Sequence, residues 1–162
     1  MSITYSPIGI IHSPFTKLSG MPIQPTSESS AKGHLEIFSE FAEGLKDLDG
    51  FSHIYLIYHL HKATSAKLQL KPFLDNKPHG VFSTRAPRRP NPIGLSLVKI
   101  ARVQENFIYI ENIDILNKTP LLDIKPYIPE FEGAHEIRIG WLENSKGNIT
   151  KKKSDERFLN QK

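Results

Sequence analysis

Residues 80–96 read GVFSTRAPRRPNPIGLS, and three arginines and three prolines fall within eight positions of this stretch. Apolar runs of β-strand type lie on both sides of it. Proline fixes its own φ and disfavours helical geometry in the residue before it, so Ala86 to Pro92 is predicted to be a stiff, extended connection. The stretch therefore indicates β-structure interrupted by an ordered basic loop, with no helix.

The basic character extends beyond this loop. No aspartate or glutamate occurs between Asn76 and Gln104, but six cations do: Lys77, Arg85, Arg88, Arg89, Lys99 and Arg102. Guanidinium groups held at fixed positions suit the binding of an anion or a nucleotide. All six cations could instead face water as solvated surface, but the clustering of arginine with proline favours a functional loop.

The composition is that of one soluble domain. The chain has 162 residues, a net charge of +4 and a pI near 9.2, which favours a polyanionic partner such as nucleic acid without establishing one. The absence of cysteine excludes disulfides, a thiol nucleophile and cysteine-based zinc sites. Because no apolar run reaches the roughly 20 residues of a membrane helix and no signal pattern opens the chain, we expect a cytoplasmic protein.

Most of the chain is predicted to be β-structure. The aromatic run FSHIYLIYHLH at 51–61 is the strongest strand, with alternate residues on opposite faces. Further strands are predicted at Ile3–His12, Gly33–Phe38, Lys67–Lys71, Gly80–Thr84, Gly94–Gln104, Phe107–Ile113, Asp123–Ile128 and Glu136–Leu142. A single helix is expected over Ser39–Leu48, with Ser39 as N-cap. This pattern favours a mostly-β barrel or a strongly curved sheet over residues 1–143, followed by a polar, lysine-rich tail over 144–162.

Familiar catalytic signatures are missing from the sequence: it has no GxGxxG, GxxxxGK[ST], HExxH or GxSxG motif. His59 and His61, with His53 on the same strand face, could be metal ligands. No third ligand follows at a familiar spacing, so we predict no metal.

Polar turns recur along the chain near Pro22–Pro25, after His61, over Arg85–Asn91 and over Asn117–Pro120. In a barrel such turns can converge at one mouth and form a ligand pocket. They can also be independent surface turns. From these residues alone, a small-molecule enzyme and an anion-binding module both stay open.

Four blocks carry a resemblance to a known family: PIGIIHSPF at 7–15, FSHIYLIYHLH at 51–61, GVFSTRAPRRPNPIGLS at 80–96 and DILNKTPLLDIKPYIP at 114–129. Together they closely resemble the TsaA-like family, which includes the TrmO-type S-adenosylmethionine-dependent tRNA methyltransferases. The resemblance implies a single-sheeted β-barrel with a short helix and long loops that binds S-adenosylmethionine without a Rossmann fold and works as a homodimer. It also implies methyl transfer to N6 of the threonylcarbamoyl-modified adenosine 3′ of the tRNA anticodon. The alternatives are a methyltransferase of the same fold with another acceptor, and a non-catalytic S-adenosylmethionine- or RNA-binding regulator.

The same resemblance implies a set of cofactor-binding residues in four places along the chain. They are Pro22, Ile23, Gln24, His61, Lys62, Arg85, Leu95, Asn117, Lys118, Thr119 and Pro120. The last turn often reads Asp-Gly-Thr-Pro in the family and reads Asn-Lys-Thr-Pro here.

Methyl transfer to an adenine nitrogen calls for further groups. The acceptor nitrogen carries a proton and is a poor nucleophile, so it needs a base or hydrogen-bond acceptor beside it. Asp114 is the first candidate for this base and Asn91 for a positioning group, although Asp114 equally suits a turn residue that bonds its own backbone. Arg88, Arg89 and the lysine-rich tail are expected to hold tRNA phosphates or the carboxylate of a threonylcarbamoyl group. The loop would then separate a cofactor side, with Arg85, from a substrate side.

Overall fold

The barrel is one closed antiparallel sheet of six strands, as the resemblance implies. The structure, a computed structural model, describes residues 1–19, 21 and 31–145. The barrel strands are β1 (Gly9–His12), β2 (Lys32–Ile37), β3 (His53–His59), β6 (Ile93–Gln104), β7 (Phe107–Glu111) and β8 (Thr119–Pro126), in the order β1-β2-β7-β6-β3-β8. A separate two-stranded sheet pairs β4 (Gln69–Leu70) with β5 (His79–Gly80).

The alternation of β3 decides which side chains enter the core. Ile54, Leu56 and Tyr58 are buried, whereas their neighbours are half-buried or exposed. Inward residues of the other strands and of the segment after β7 complete the core: Ile11, Leu35, Ile37, Val98, Ile108, Ile110, Ile113, Ile115 and Leu121. Most of them are β-branched, which suits packing between the strands of a small barrel.

One end of the barrel, which we call the mouth, collects the polar turns. Because the sheet is antiparallel in the order given, β1, β3 and β7 all end there, and β2, β6 and β8 begin there. The connections after β3 and after β7 therefore lie side by side at this end. The sequence left open whether the polar turns converge or stand apart, and these two connections converge.

The connection from 60 to 92 is a long excursion with a small core of its own. The backbone N–H of Leu60 donates to the carbonyl of Pro92 at 2.7 Å and closes its base. Leu70, Val81 and Ala86 form its apolar cluster. Trp141 donates its indole N–H to the Ser83 carbonyl at 2.9 Å and ties the 3-10 helix Gly140–Ser145 to the excursion.

Four predicted elements differ from the structure. The first strand begins only at Gly9, and the strand expected over Gly80–Thr84 is β5 followed by a 3-10 helix, Val81–Ser83. The expected helix over Ser39–Leu48 is two 3-10 helices, Ser39–Leu45 and Leu48–Gly50; Ser39 does not cap, and the left-handed Asp47 (φ 65°) separates them.

The strand expected over Glu136–Leu142 is also wrong. Glu136 and Gly140 have φ of 58°, which a strand cannot accommodate, and a 3-10 helix follows. A short helix, Pro129–Glu132, stands after β8 instead, with proline at its start. No helix among the described residues is long and apolar enough to cross a membrane. The predicted cofactor residues Pro22, Ile23 and Gln24 and nearly all of the tail lie outside the described residues.

Candidate functional site

Two adjoining hollows open at the mouth. The first is lined by His61, Lys62, Arg88 and Thr119, with apolar contributions from Leu18, Met21, Ile115 and Leu116. The second is lined by Thr84, Arg85, Arg89, Ile93, Gly94 and Leu95. Three residues line both hollows: Tyr58, Leu60 and Asp114. We call these three the shared wall.

Asp114 places a carboxylate in the shared wall. Its Oδ1 accepts a hydrogen bond from Ser96 Oγ at 2.7 Å, and Ser96 Oγ lies 3.0 Å from the Tyr58 hydroxyl. Burial raises the pKa of Asp114 to about 6, against the opposing effects of the Ser96 hydrogen bond, its own backbone N–H and the positive charge of Arg85. The carboxyl group is therefore mostly ionised at pH 7, with a pKa close enough to neutrality to suit a general base. Asp114 accepts its own backbone N–H and also lines both hollows, and its role as the base stays a prediction.

Gly94 explains the position of the Tyr58 ring. The two residues face each other in the β3–β6 register, and a Cβ added at Gly94 would overlap the ring atoms Cε2 and Cζ of Tyr58. The ring therefore lies flat over the glycine, with its hydroxyl directed to Ser96. Burial raises the pKa of Tyr58 far above its usual value, so the phenol stays protonated.

His61 and Thr119 meet in the first hollow. Thr119 Oγ1 donates to the Leu116 carbonyl at 2.7 Å and lies 3.3 Å from His61 Nδ1. Since the threonine proton is committed to Leu116, His61 Nδ1 must carry the proton of this pair, which leaves Nε2 as an acceptor. Burial first, and then the charges of Lys62 and His59, lower the pKa of His61, so the ring is neutral at pH 7.

The turn from Asn117 to Pro120 fastens the mouth to β1. Asn117 Oδ1 accepts the Ser13 backbone N–H at 3.1 Å, and the Lys118 N–H donates to the Ile11 carbonyl at 2.8 Å. Lys118 is left-handed, with φ of 63°, a geometry that glycine adopts at lower cost. Asparagine thus supplies an acceptor as aspartate would, whereas lysine here carries backbone strain.

Arg88 does not fit the predicted role in holding RNA phosphates. The residue is only 3% exposed. Its Nε donates to the Ser65 carbonyl at 2.9 Å, and Nη2 lies 3.1 Å from Ser65 Oγ. The guanidinium thus serves to hold the excursion together, and its contact with RNA phosphates stays a prediction.

Arg89 is half-buried and also serves the loop. Its Nη1 donates to three carbonyl oxygens at 2.8–3.3 Å, those of Val81, Thr84 and Ala86. Arg85 is exposed and lines the second hollow. The predicted division of the loop is therefore different in the structure: Arg88 shares a hollow with His61, and Arg85 shares one with Arg89.

The remaining predicted residues are spread around the mouth. Leu95 is 49% exposed at the second hollow, and Asn91 is exposed and lines neither hollow, so it does not stand beside Asp114. His53 lies at the start of β3, where its Nδ1 is 2.9 Å from Ser52 Oγ, far along the strand from His61. Within the described part of the chain, no group of three or more potential metal ligands comes together.

Tyr58, Gly94 and Ser96 are site residues that the sequence did not identify. A weak signal exists, because residues 94, 96 and 98 share the buried face of β6 and two of these three are small. Small or polar residues on a core face mark a place where another group approaches closely.

The comparisons with known proteins identify the family of the chain. Residues 10–133 match the family described as tRNA-methyltransferase O N-terminal domain. The chain belongs to this family. A probable S-adenosyl-L-methionine-binding protein of Pyrococcus abyssi is 50% identical over 159 residues, which cover 98% of this chain and 86% of that protein.

Longer relatives share the same part of the chain. The human tRNA (adenine(37)-N6)-methyltransferase is 39% identical over 139 residues, 81% of this chain but 31% of that protein. The crystal structure of TrmO from Pseudomonas aeruginosa matches with a TM-score of 0.74 and 37% identity, covering 86% of this chain and 62% of that one. The chain thus spans about a third of the human protein and under two thirds of the bacterial one.

Proposed function

We propose that this chain is an S-adenosylmethionine-dependent methyltransferase that acts on N6 of an adenosine beside the tRNA anticodon, with its reaction centre at the shared wall. The observation that carries the proposal is Asp114, a carboxylate with a pKa of about 6 between two hollows at the mouth of this family's barrel. Family membership supports the cofactor and the acceptor class.

The two hollows together suit the cofactor. Their cavity volumes are about 100 Å³ and 230 Å³, and only in combination do they reach the lower end of the roughly 300–1,000 Å³ range of small-molecule sites. The predicted cofactor contacts also fall in both: His61, Lys62 and Thr119 in the first, Arg85 and Leu95 in the second. A ligand that touches both sets must pass the shared wall.

The residues present fit S-adenosylmethionine chemically. Apolar side chains of the first hollow can cover an adenosine, the exposed guanidinium of Arg85 suits a carboxylate, and the Asp114 carboxylate suits a nearby cationic sulfonium. When bound, the cofactor supplies an activated methyl group. The main task of the protein is then alignment, and the paired strands β3 and β6 hold the shared wall rigidly for it.

Asp114 takes the proton in this proposal. As the acceptor nitrogen gains a methyl group, it loses its proton to the carboxylate, so no charge remains on the nitrogen. The protonated carboxyl group, with a pKa of about 6, then releases the proton to water at neutral pH. Activity is therefore expected to rise with pH through about 6.

We propose that tRNA binds at exposed cations of the mouth. Lys62 and Lys118 are both exposed beside the first hollow, and lysines at such a rim suit phosphates of the anticodon loop or the carboxylate of a threonylcarbamoyl group. A base in a single-stranded loop reaches a pocket more easily than one in a duplex. We further propose that the protein acts in the cytoplasm as a homodimer.

The direct test is incubation with methyl-labelled S-adenosylmethionine and tRNA with or without the threonylcarbamoyl modification, followed by nucleoside analysis. Label in the N6-methylated modified adenosine alone supports the full proposal. Label in another nucleoside retains the methyltransferase and replaces its acceptor. Cofactor binding without transfer to either tRNA would favour a regulator.

Asp114→Asn separates catalysis from stability. Loss of the base is expected to slow methyl transfer by about 10²–10⁴-fold. The free energy of unfolding should rise by up to about 3 kcal/mol, because a carboxyl pKa raised from 3.8 to about 6 means that the buried charge destabilises the fold. This gain should be complete above pH 6 and absent below about pH 4. The exposed Asp123, which pairs with Lys125 at 2.9 Å, gives the control Asp123→Asn, for which neither effect is expected.

A further inference from the structure

We propose that Tyr58 and Ser96 form a one-directional hydrogen-bond chain that positions Asp114, with Tyr58 donating to Ser96 and Ser96 donating to one oxygen of the carboxylate. This inference rests on the proposed function, in which Asp114 is the base. It assigns Tyr58 and Ser96 as positioning residues that act through Asp114.

The direction of the chain follows from counting protons. An ionised carboxylate only accepts hydrogen bonds, so the 2.7 Å contact requires the single hydroxyl proton of Ser96 to point at Asp114. Ser96 Oγ can then only accept from Tyr58, whose hydroxyl lies 3.0 Å away. Tyr58 keeps its proton because burial raises the pKa of its phenol. Every hydroxyl in the chain therefore has a defined donor and acceptor.

The hydrogen-bond chain leaves lone pairs of the Asp114 carboxylate available to the substrate. A carboxylate offers about four lone-pair sites. Ser96 takes one on Oδ1, and the backbone N–H of Asp114 takes another. The remaining lone pairs can accept the proton of the acceptor nitrogen at the wall of both hollows.

The chain is fixed by rigid elements. Ser96 is 2% exposed on β6, and Tyr58 lies on β3, directly opposite Gly94 in the pairing of these two strands. The Tyr58 ring occupies the space that a side chain at position 94 would fill, so glycine at this position is what admits the ring. A site held by paired strands keeps its geometry more accurately than one held by loops.

Among the described residues, the charged groups around the carboxyl group can be named. Burial raises the pKa of both Asp114 and Tyr58, and the positive charge of Arg85, from the loop after β5, opposes that rise. The other titratable side chains of the two hollows are His61, Lys62, Arg88 and Arg89. Removing the Ser96 hydroxyl changes none of these charges, so a resulting shift in the pKa of Asp114 is due to the lost hydrogen bond.

The experiment compares Ser96→Ala and Tyr58→Phe with wild type in two measurements. The first is the pH dependence of kcat for tRNA methylation. The second is the titration of aspartate carboxyl carbons by NMR, with Asp114→Asn identifying the resonance. For Ser96→Ala we expect the acid limb and the carboxyl titration to move up together by about one to two pH units. The deficit in kcat should then be large near pH 6 and largely recovered near pH 9.

Tyr58→Phe is expected to give a smaller upward shift, since Ser96 still donates to Asp114. It also serves if Ser96→Ala does not fold. Ser52→Ala is the matched control, because its hydroxyl bonds His53 outside the site; neither readout should change.

Two results would overturn the chain: an unchanged Asp114 titration in Ser96→Ala, or a loss of kcat that is equal at every pH. The NMR titration needs no turnover. If the wild-type protein transfers no methyl group, the proposed function fails on that assay, and the titration still decides separately whether Ser96 holds the carboxylate.

Discussion

The strands β3 and β6, which we call the barrel wall, and the loop that carries Arg85, Arg88 and Arg89 meet at the same site. The directions of their side chains are decided in different ways. In β3 and β6, alternation along the strand decides that Tyr58 and Ser96 face inward. In the loop, three arginines lie within five positions, yet Arg85 is exposed, Arg88 is buried and Arg89 is half-buried. Strand position thus predicts the direction of a side chain, whereas residue type in a loop does not.

The prolines of the loop explain why Arg88 and Arg89 turn inward. Proline has no N–H to donate, and an irregular loop has no ladder of hydrogen bonds, so its carbonyl groups need other donors. Arg89 serves three of these carbonyls, and Arg88 serves that of Ser65. The combination of arginine with proline here is first a structural arrangement, and Arg85 is the exposed one of the three loop arginines.

The largest loss of stability is expected in the barrel wall, for Gly94→Ala. The new methyl group would overlap the Tyr58 ring and displace it. We expect a loss of about 2–3 kcal/mol in the free energy of unfolding, together with most of the methyl-transfer activity. Chemical denaturation and the tRNA assay measure the two effects.

Gly80→Ala is the matched control in the loop. Nothing lies within 4 Å of an added Cβ at Gly80, and its φ of −61° suits alanine. Its stability should stay equal to wild type or rise by up to about 1 kcal/mol. Equal losses in the two variants would contradict the contrast between wall and loop.

A smaller effect is expected in the loop itself, from Arg88→Ala. Removing the guanidinium leaves the Ser65 carbonyl without this donor, so we expect a loss of about 1–2 kcal/mol in the free energy of unfolding. The salt dependence of tRNA binding should not change, because the group is not at the surface. Arg85→Ala should behave in the opposite way, with stability within about 0.5 kcal/mol of wild type and weaker cofactor binding. If Arg88→Ala is as stable as wild type and its tRNA binding depends less on salt, then Arg88 contacts RNA phosphates.

The sequence predicted those parts of the molecule that depend on period and residue type. Alternation in the run at 51–61 identified β3 and its two faces, but not which of them points inward, and the polar turns supplied candidates for the mouth. Asp114 could be proposed because the reaction needs a base. The Tyr58–Ser96 contact could not, since the two residues are 38 positions apart and only the β3–β6 register brings them together.

Local backbone conformation also limited what the sequence could predict. The segment at 39–48 has helical spacing of its apolar residues, yet Asp47 adopts a left-handed geometry and the helix stays in short 3-10 pieces. The same geometry at Glu136 ends the strand that was expected there. Single residues with positive φ leave little trace in a sequence unless they are glycine.

The smallest change in stability is expected at Lys118, in the turn that fastens the mouth to β1. A left-handed lysine costs backbone energy that glycine avoids, so Lys118→Gly should raise the free energy of unfolding by up to about 1 kcal/mol. The same change removes an exposed cation, which should weaken tRNA binding and lower its salt slope by about one. Lys118→Ala separates the two causes, because it removes the charge and keeps the strain. If both variants bind tRNA like wild type, the lysine makes no phosphate contact. If Lys118→Gly is the less stable of the two, side-chain contacts at this turn outweigh its backbone geometry.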